Sequence, residues 1–562
     1  MIKPPTEPSR MFDRHYAVWP ELVPHFLDLP ATSLYTNLTV SALRYPQHPA
    51  IIYYGSTLTY AELERQTEAL AGYLQHAGVK AGDRVLLYMQ NSPQFVIGFY
   101  AILRANAVVV PVNPMNRKAE LEYLIADTEA QIALCGRELL DNISDLLGAT
   151  GLREVVVSAY GEYVREPTDL ELPEAVTLAA DIPQRDGLTA WQQALDAAYE
   201  PGPLTAGPDD LCVIPYSSGT TGNPKGCAHT HHSAMATTVY PSVWGNSQHG
   251  SVQLVSVPMF HVTGMQVCMN AAIYLGATQV IMTRWDRRTA ARLIERHGIT
   301  AWRNIPTMVV DLLSDPEIDK YDISSLQAIG GGGAAMPAAI AAKLEGQLGL
   351  RYSEGYGLSE TLSATHMNPP LAPKPQCLGI PIIGVDSRVV DVDSLQEVGV
   401  GEVGEIVLQG EQLFQGYWRR PDATADAFIE LDGKRFFRTG DLGYYDEEGY
   451  FFLVDRVKRM INASGYKVWP AEVESLLYSH PAVHEVCVIS VPDERRGETV
   501  KAVVALATGH ADTTAEDILT WCQANMSAYK CPKLIQFTDA LPKSPTGKIM
   551  WRALQEQEWA DA

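Results

Sequence analysis

The 562-residue sequence has no C-x-x-C pair and few cysteines: Cys135, Cys212, Cys227, Cys268, Cys377, Cys487, Cys522 and Cys531 stand singly along the chain. That scatter excludes a disulfide framework and suits reduced thiols. No apolar run approaches the roughly 18 residues of a membrane-spanning helix. The first stretch, MIKPPTEPSRMFDRHY, lacks the apolar centre of a secretory signal. A cytoplasmic protein without an integral membrane segment is expected. Basic residues are in deficit, with 43 Lys and Arg against 66 Asp and Glu, a formal charge of −23. A surface of that sign repels phosphate backbones and anionic lipid, so nucleic acid is not an expected partner. Internal repeats and low-complexity tracts are also missing. The length exceeds what one core supports, so several subdomains are expected.

Thr59 and Glu62 form a T-x-x-E capping box. Leu63, Leu70 and Leu74 follow at helical spacing, and Gly78 stands where the helix would stop. Strand-like runs recur as RVLLYM, AVVVPVN, LCVIPYS, VQLVSVP and TQVIMT, and RTAARLIERHG reads as a helix ending in glycine. Alternation of this kind predicts layered α/β sheets. Beyond Asp441 short strands and turns dominate, with a helix starting at Pro470. The expected fold class is therefore α/β. A large N-terminal domain of α/β subdomains spans 1–455, and a small α+β domain spans 456–562.

The stretch YSSGTTGNPKG places Ser217, Ser218, Thr220 and Thr221 among Gly219, Gly222 and Gly226, next to Lys225. Flexible backbone, hydroxyls and one cation suit a cradle for phosphate oxygens, between a strand and a following helix. It is not a Walker A loop, because Gly226 follows the lysine where Ser or Thr is needed. GGGGAAMP, from Gly330 to Pro337, satisfies G-x-G-x-x-A and keeps a nicotinamide oxidoreductase open as an alternative. A non-catalytic AMP sensor is another. His229, His231 and His232 present a minor option for metal.

Seven motifs occur in order: YSSGTTGNPKG, PMFHVTG, GGGGAAMP, EGYGLSET, RTGDLGYYDEEGY, DRVKRMINASGYKVWPAEVE and PKSPTGKI. Together they resemble the adenylate-forming superfamily of acyl-CoA synthetases, adenylation domains and luciferases, over about Leu58 to Met550. Within it the chain is most similar to the fatty-acyl-CoA ligases. The resemblance implies ATP, Mg2+ and coenzyme A. A carboxylate attacks the α-phosphate to give acyl-AMP and pyrophosphate, and the thiol of coenzyme A then displaces AMP.

It further implies that Ser217 to Lys225 hold the β- and γ-phosphates. Glu354, Gly355, Tyr356, Gly357 and Ser359 would line the nucleotide, Tyr356 stacking on adenine. Ser359 or Thr361 would contact the α-phosphate, and Glu360 would bind Mg2+. Gly331, Gly332, Gly333, Ala334 and Ala335 would line the acyl and adenine pockets. Asp441 would hold the ribose hydroxyls, supported by Arg456. Lys548 would bridge carboxylate and α-phosphate as the catalytic cation. Asp455 would be the hinge about which the small domain turns, bringing Ser464, Gly465 and Tyr466 to coenzyme A. The family's habit of dimerising implies a homodimer.

His261 occupies the position of an aromatic gate to the acid. No aspartate marks an amino-acid pocket nearby. Met265 stands where some long-chain ligases have tryptophan. Met265 and Met308 suggest an adaptable apolar tunnel. A medium- or long-chain fatty acid is expected, with aryl or short branched acids, or loading of a carrier protein, as alternatives. A luciferase-type oxygenase remains chemically close.

Overall fold

The computed structural model describes residues 11–217, 224–333, 336–463, 466–493, 497–543 and 549–560. The chain folds as two compact units. The first comprises residues up to Asp386 together with Gln409–Phe437, and the second Ser387–Leu408 together with residues from Arg438 onward.

Two nine-stranded sheets build the first unit. In one, Arg84–Tyr88 pairs in parallel with Val108–Pro111 and Ile132–Gly136. RVLLY is apolar on both faces because helices cover both sides of a parallel sheet. The helix Tyr60–His76 carries the expected capping box: the Glu62 N–H donates to Thr59 Oγ1 at 3.3 Å, and the Thr59 N–H donates to Glu62 Oε2 at 2.9 Å. Such a cap is worth about 1 kcal/mol. Leu63, Leu70 and Leu74 on its inner face are wholly buried, each contributing roughly 2 kcal/mol. Gly78, at φ +93°, ends the helix as its position implied.

The other sheet carries the parallel strands Val252–Val255, Ala301–Asn304, Ala328–Gly332 and Ser353–Leu358, the last turning back antiparallel into Ser363–Met367. Trp302 stacks on Trp285 at 5.5 Å between ring centroids and donates its indole N–H to Ser256 at 2.9 Å, fixing one face of this sheet.

The expected strand LCVIPYS breaks at Pro215 into Leu211–Val213 and Tyr216–Ser217. Proline lacks the N–H that a ladder requires. The glycine-rich loop also differs from expectation. It does not lead into a helix N-terminus but joins the two arms of a hairpin, Tyr216–Ser217 and the six-residue strand Lys225–Thr230. Only then does the helix His231–Trp244 begin, capped by Thr230.

The second unit holds the strand Gly404–Gln409 up to Leu408, the strand Phe451–Arg456 and the later part of Lys434–Tyr445, followed by a sheet built on the long hairpin Val483–Asp493 and Gly497–Leu506. The helix Pro470–Leu477 starts at the proline that announced it. Asp455 and Arg456 lie within this unit.

Candidate active site

In the first unit the site begins at the hairpin. Ser217 and Lys225 are cross-strand partners, and Ser217 Oγ donates to the Lys225 carbonyl at 3.3 Å. Ser218, Gly219, Thr220, Thr221 and Gly222 lie outside the described residues. Gly226 is required by packing, since a Cβ there would fall 2.6 Å from Ile214 Cγ2. Opposite Cys227 runs the short strand Gly416–Tyr417. It brings the Tyr417 ring under Lys225, whose Nζ is 4.8 Å from the ring centroid, a cation–π contact. Tyr417 Oη in turn donates to Glu360 Oε1 at 2.9 Å. Burial, reinforced by the Glu360 charge, drives the phenol pKa far up, so Tyr417 stays a donor. The lysine expected to bind phosphate and the carboxylate expected to carry Mg2+ are thus joined through one aromatic ring. Sequence reasoning missed Tyr417, because 57 positions separate it from Glu360.

Glu360 sits in the short turn Ser359–Thr361 that follows Ser353–Leu358. Thr361 is buried. Its hydroxyl accepts from the Leu358 N–H at 2.9 Å and donates to the Ser363 carbonyl at 2.7 Å. The Ser359 hydroxyl makes no hydrogen bond among the described residues, whereas the Ser359 carbonyl accepts the Nε2–H of His229 at 2.8 Å. One carboxylate, with phosphates supplying the remaining oxygens, is a donor set that suits Mg2+. Tyr356 lies half-buried on its strand with its ring 5.6 Å from that of His366.

The histidine trio does not converge on a metal. His229 is buried and held near pKa 4 by desolvation, bonding Ser359. His231, also held to about 4 by burial, accepts from the Leu34 N–H at 3.0 Å, and His232 faces Glu411 at 3.7 Å. No cluster of three metal-ligating side chains occurs among the described residues.

The glycine cluster is not a dinucleotide turn either. Gly330, Gly331 and Gly332 lie inside the strand Ala328–Gly332, in register with Ser353, Glu354 and Gly355. A Cβ on Gly331 would approach the Asn304 carbonyl to 1.8 Å, and one on Gly332 the Gly355 carbonyl to 2.4 Å. The glycines therefore serve close approach of neighbouring backbones rather than a turn, which removes the basis of the oxidoreductase alternative. Gly357 is constrained likewise, 1.9 Å from the Ser363 carbonyl. Ala334 and Ala335 lie outside the described residues. Glu354 is buried and accepts from the Gln376 N–H at 2.9 Å; desolvation raises its pKa to about 7.

His261 is exposed, in the turn before a π-helical segment, Thr263–Asn270. Met265 lies inside that segment, wholly buried in the core. Wide helical turns of this kind concentrate at functional sites.

In the second unit, Asp441 and Arg456 are cross-strand partners, with Asp441 Oδ1 2.8 Å from Arg456 Nε. Asp441 is buried, whereas Arg456 is 43 % exposed. The turn before Asp441 is held by Glu405, which sequence reasoning also missed. Its buried carboxylate accepts from Arg438 Nε at 3.0 Å, Arg438 Nη2 at 2.6 Å and the Gly440 N–H at 3.0 Å. Gly440, at φ +69°, permits the bend.

Asp455 accepts from its neighbour's N–H, that of Arg456, at 2.7 Å and from the Ala471 N–H at 2.6 Å, pinning the start of the helix Pro470–Leu477. Burial raises its pKa, opposed by Arg459. Lys548, Ser464 and Gly465 lie outside the described residues; the Tyr466 backbone opens the strand Tyr466–Val468.

The chain matches the AMP-binding enzyme family over residues 38–418 and the AMP-binding enzyme C-terminal domain over 472–548. It is 34% identical to a long-chain-fatty-acid–CoA ligase of Bacillus subtilis over 552 residues, 96% of this chain and 97% of that protein. It is 33% identical to a feruloyl-CoA synthase of Amycolatopsis over 512 residues, 90% and 95% of the two chains. The crystal structure of ATP-bound MatB from Rhodopseudomonas palustris superposes with a TM-score of 0.82 at 27% identity, covering 94% of this chain and 99% of that one.

Proposed function

The chain belongs to the AMP-binding enzyme family as an AMP-forming acyl-CoA synthetase, and from that premise we propose the acid it activates and the residues that activate it. The acid is a medium- or long-chain fatty acid, in line with the ligase it resembles along almost its whole length. In the first half-reaction a carboxylate oxygen bonds to the α-phosphorus of ATP, the bond to the β-phosphate oxygen breaks, and pyrophosphate leaves. In the second, the sulfur of coenzyme A bonds to the acyl carbon, AMP leaves, and the thiol proton goes to solvent.

The observation that carries this reading is the Lys225–Tyr417–Glu360 arrangement, with 4.8 Å from cation to ring and 2.9 Å from phenol to carboxylate. Lys225 and the adjoining hydroxyls hold the terminal phosphates. Glu360 holds Mg2+, which when bound neutralises phosphate charge. Tyr417 keeps Glu360 oriented. Of the two hydroxyls open to the α-phosphate, Ser359 is the better placed, because that of Thr361 is taken up by backbone. Tyr356 stacks on adenine over the flat floor that the glycines provide. In the second unit Asp441, oriented by Arg456, accepts from the ribose hydroxyls. Lys548 supplies the cation that lets two anions meet, and Asp455 is the pivot between half-reactions. His261 gates the acid. A cytoplasmic homodimer completes the proposal.

A panel of carboxylic acids scored for AMP release, with and without coenzyme A, tests the reading. Release that depends on a fatty acid supports it, and no release with any acid overturns it. Lys548→Ala should abolish acid-dependent ATP–pyrophosphate exchange while thioester formation from supplied acyl-AMP persists. Equal loss of both steps would remove Lys548 from its role.

A further inference from the structure

A plain fatty acid leaves one cation in the sheet unexplained. Arg303 lies on the strand Ala301–Asn304, in register with Gly330 of the glycine strand and Val255 on the other side. In-register neighbours of parallel strands share a face, so Arg303 lies on the face of Gly330, two residues before Gly332. Its guanidinium fills space left by two glycines. A Cβ on Gly330 would be 3.0 Å from Nη1, and one on Gly245, at the end of the helix His231–Trp244, 3.5 Å from Nη2. The ionisable groups that face it are Cys268, from the π-helical segment behind His261, and Tyr352, whose hydroxyl is already given to Asn304 Oδ1 at 3.0 Å. Among the described residues no carboxylate pairs with Arg303 and no acceptor takes its N–H groups. Neither adjoining strand, Val252–Val255 or Ala328–Gly332, carries an acid, and Glu354, one strand further on, accepts from the Gln376 N–H. Nearby cations are paired by contrast: Arg287 and Arg288 with Asp315, and Arg292 with Asp169.

A half-buried guanidinium without an anion is costly, and burial lowers the pKa of Arg303. Glycines at two flanking positions keep that costly group in place. A planar fork of donors matches a carboxylate better than any other small group. The level of Arg303 is about 7 Å along the strand from Gly332, so a second acidic group there would sit in the tail of an acid whose reacting carboxylate lies at the glycine floor.

We propose that Arg303 determines specificity in the acyl pocket and that the preferred substrate is a dicarboxylic acid, its far carboxylate paired with Arg303. This rests on the functional reading above and narrows its acid. The rival role for Arg303 is to complement the carbonyl end of the helix His231–Trp244, which is purely structural.

The test compares straight-chain monocarboxylates with α,ω-dicarboxylates of equal carbon count, as kcat/KM for AMP release by the full-length enzyme. At the best length the diacid should lead by at least about 100-fold, the scale on which a site built for a polar group rejects an analogue without it. Arg303→Met should reverse the order, raising KM for the diacid and lowering it for the monoacid. Arg303→Lys should retain part of the diacid preference. A structural role would instead lower Tm and leave the ratio unchanged. Should Arg303→Met not fold, the wild-type ratio and Arg303→Lys still decide. Activation of monoacids with no diacid preference overturns this inference and leaves the acyl-CoA synthetase reading standing. AMP release from neither series overturns both.

Discussion

The two units hold their functional groups by different means. In the first, Lys225 rests on an aromatic face, Glu360 on a phenol and His229 on a carbonyl, so the groups proposed to serve the ligand each have a neutral partner. In the second, charge is held by charge: Asp441 by Arg456, Glu405 by Arg438, and Asp455 and Glu474 by Arg459. A neutral partner fixes position without setting a countercharge beside the group it holds. An ion pair fixes position more strongly but ties stability to its partner.

Lys225→Ala probes the contrast most severely. Removing a cation proposed to hold the oxygens of the departing pyrophosphate costs about 100- to 1,000-fold in rate, roughly 3–4 kcal/mol. Because Tyr417 loses only a cation–π contact, Tm should hold within a degree or two of wild type. A large fall in Tm alongside the lost kcat/KM for ATP would show that Lys225 supports the fold as well.

Glu354 carries the same pattern into the interior of the first unit, a buried carboxyl held by a backbone N–H without a cation. Its folded pKa of about 7 stands above the ordinary 4.5, so the folded protein favours the protonated form. Stability is therefore highest below the unfolded value and is lost as pH rises through 7. Glu354→Gln keeps an acceptor for the Gln376 N–H and abolishes the ionisation. It should stabilise the protein on the order of 3 kcal/mol at about pH 8, with the gain fading towards about pH 4.5. Urea midpoints across that range measure it, and a gain independent of pH would contradict the assignment.

Glu405→Gln tests the second unit. It leaves Arg438, 30 % exposed, without the charged oxygen that takes both its N–H groups and loosens the Gly440 turn. A loss of about 2 kcal/mol is expected, together with a raised KM for ATP through displacement of Asp441. Unchanged stability would place this turn in the class held by neutral contacts.

What could be read from sequence follows the range of the interactions. The Thr59–Glu62 box, the stop at Gly78 and the start at Pro470 are local, and each stands where the residues implied. The strand Lys225–Thr230 was hidden because KGCAHT has no strand signature of its own. Its conformation comes from pairing with Leu211–Val213 and with Gly416–Tyr417, nearly two hundred residues on. Glu405 and Arg303 were unreadable for the same reason. Each is an ordinary charged residue until a strand distant in sequence supplies, or withholds, its partner.

Tyr417→Phe separates position from charge at the smallest scale. It deletes one oxygen, keeps the ring under Lys225 and leaves Glu360 without the phenol's hydrogen bond. A neutral donor to a carboxylate is worth about 1–2 kcal/mol, so kcat should fall by about tenfold with little change in Tm. The loss should also shrink as Mg2+ is raised, because excess metal restores occupancy of a carboxylate that has lost its orientation. If the deficit were instead the same at every Mg2+ concentration, Tyr417 would be acting on Lys225 through its ring alone, and the link from cation to metal would end at that ring.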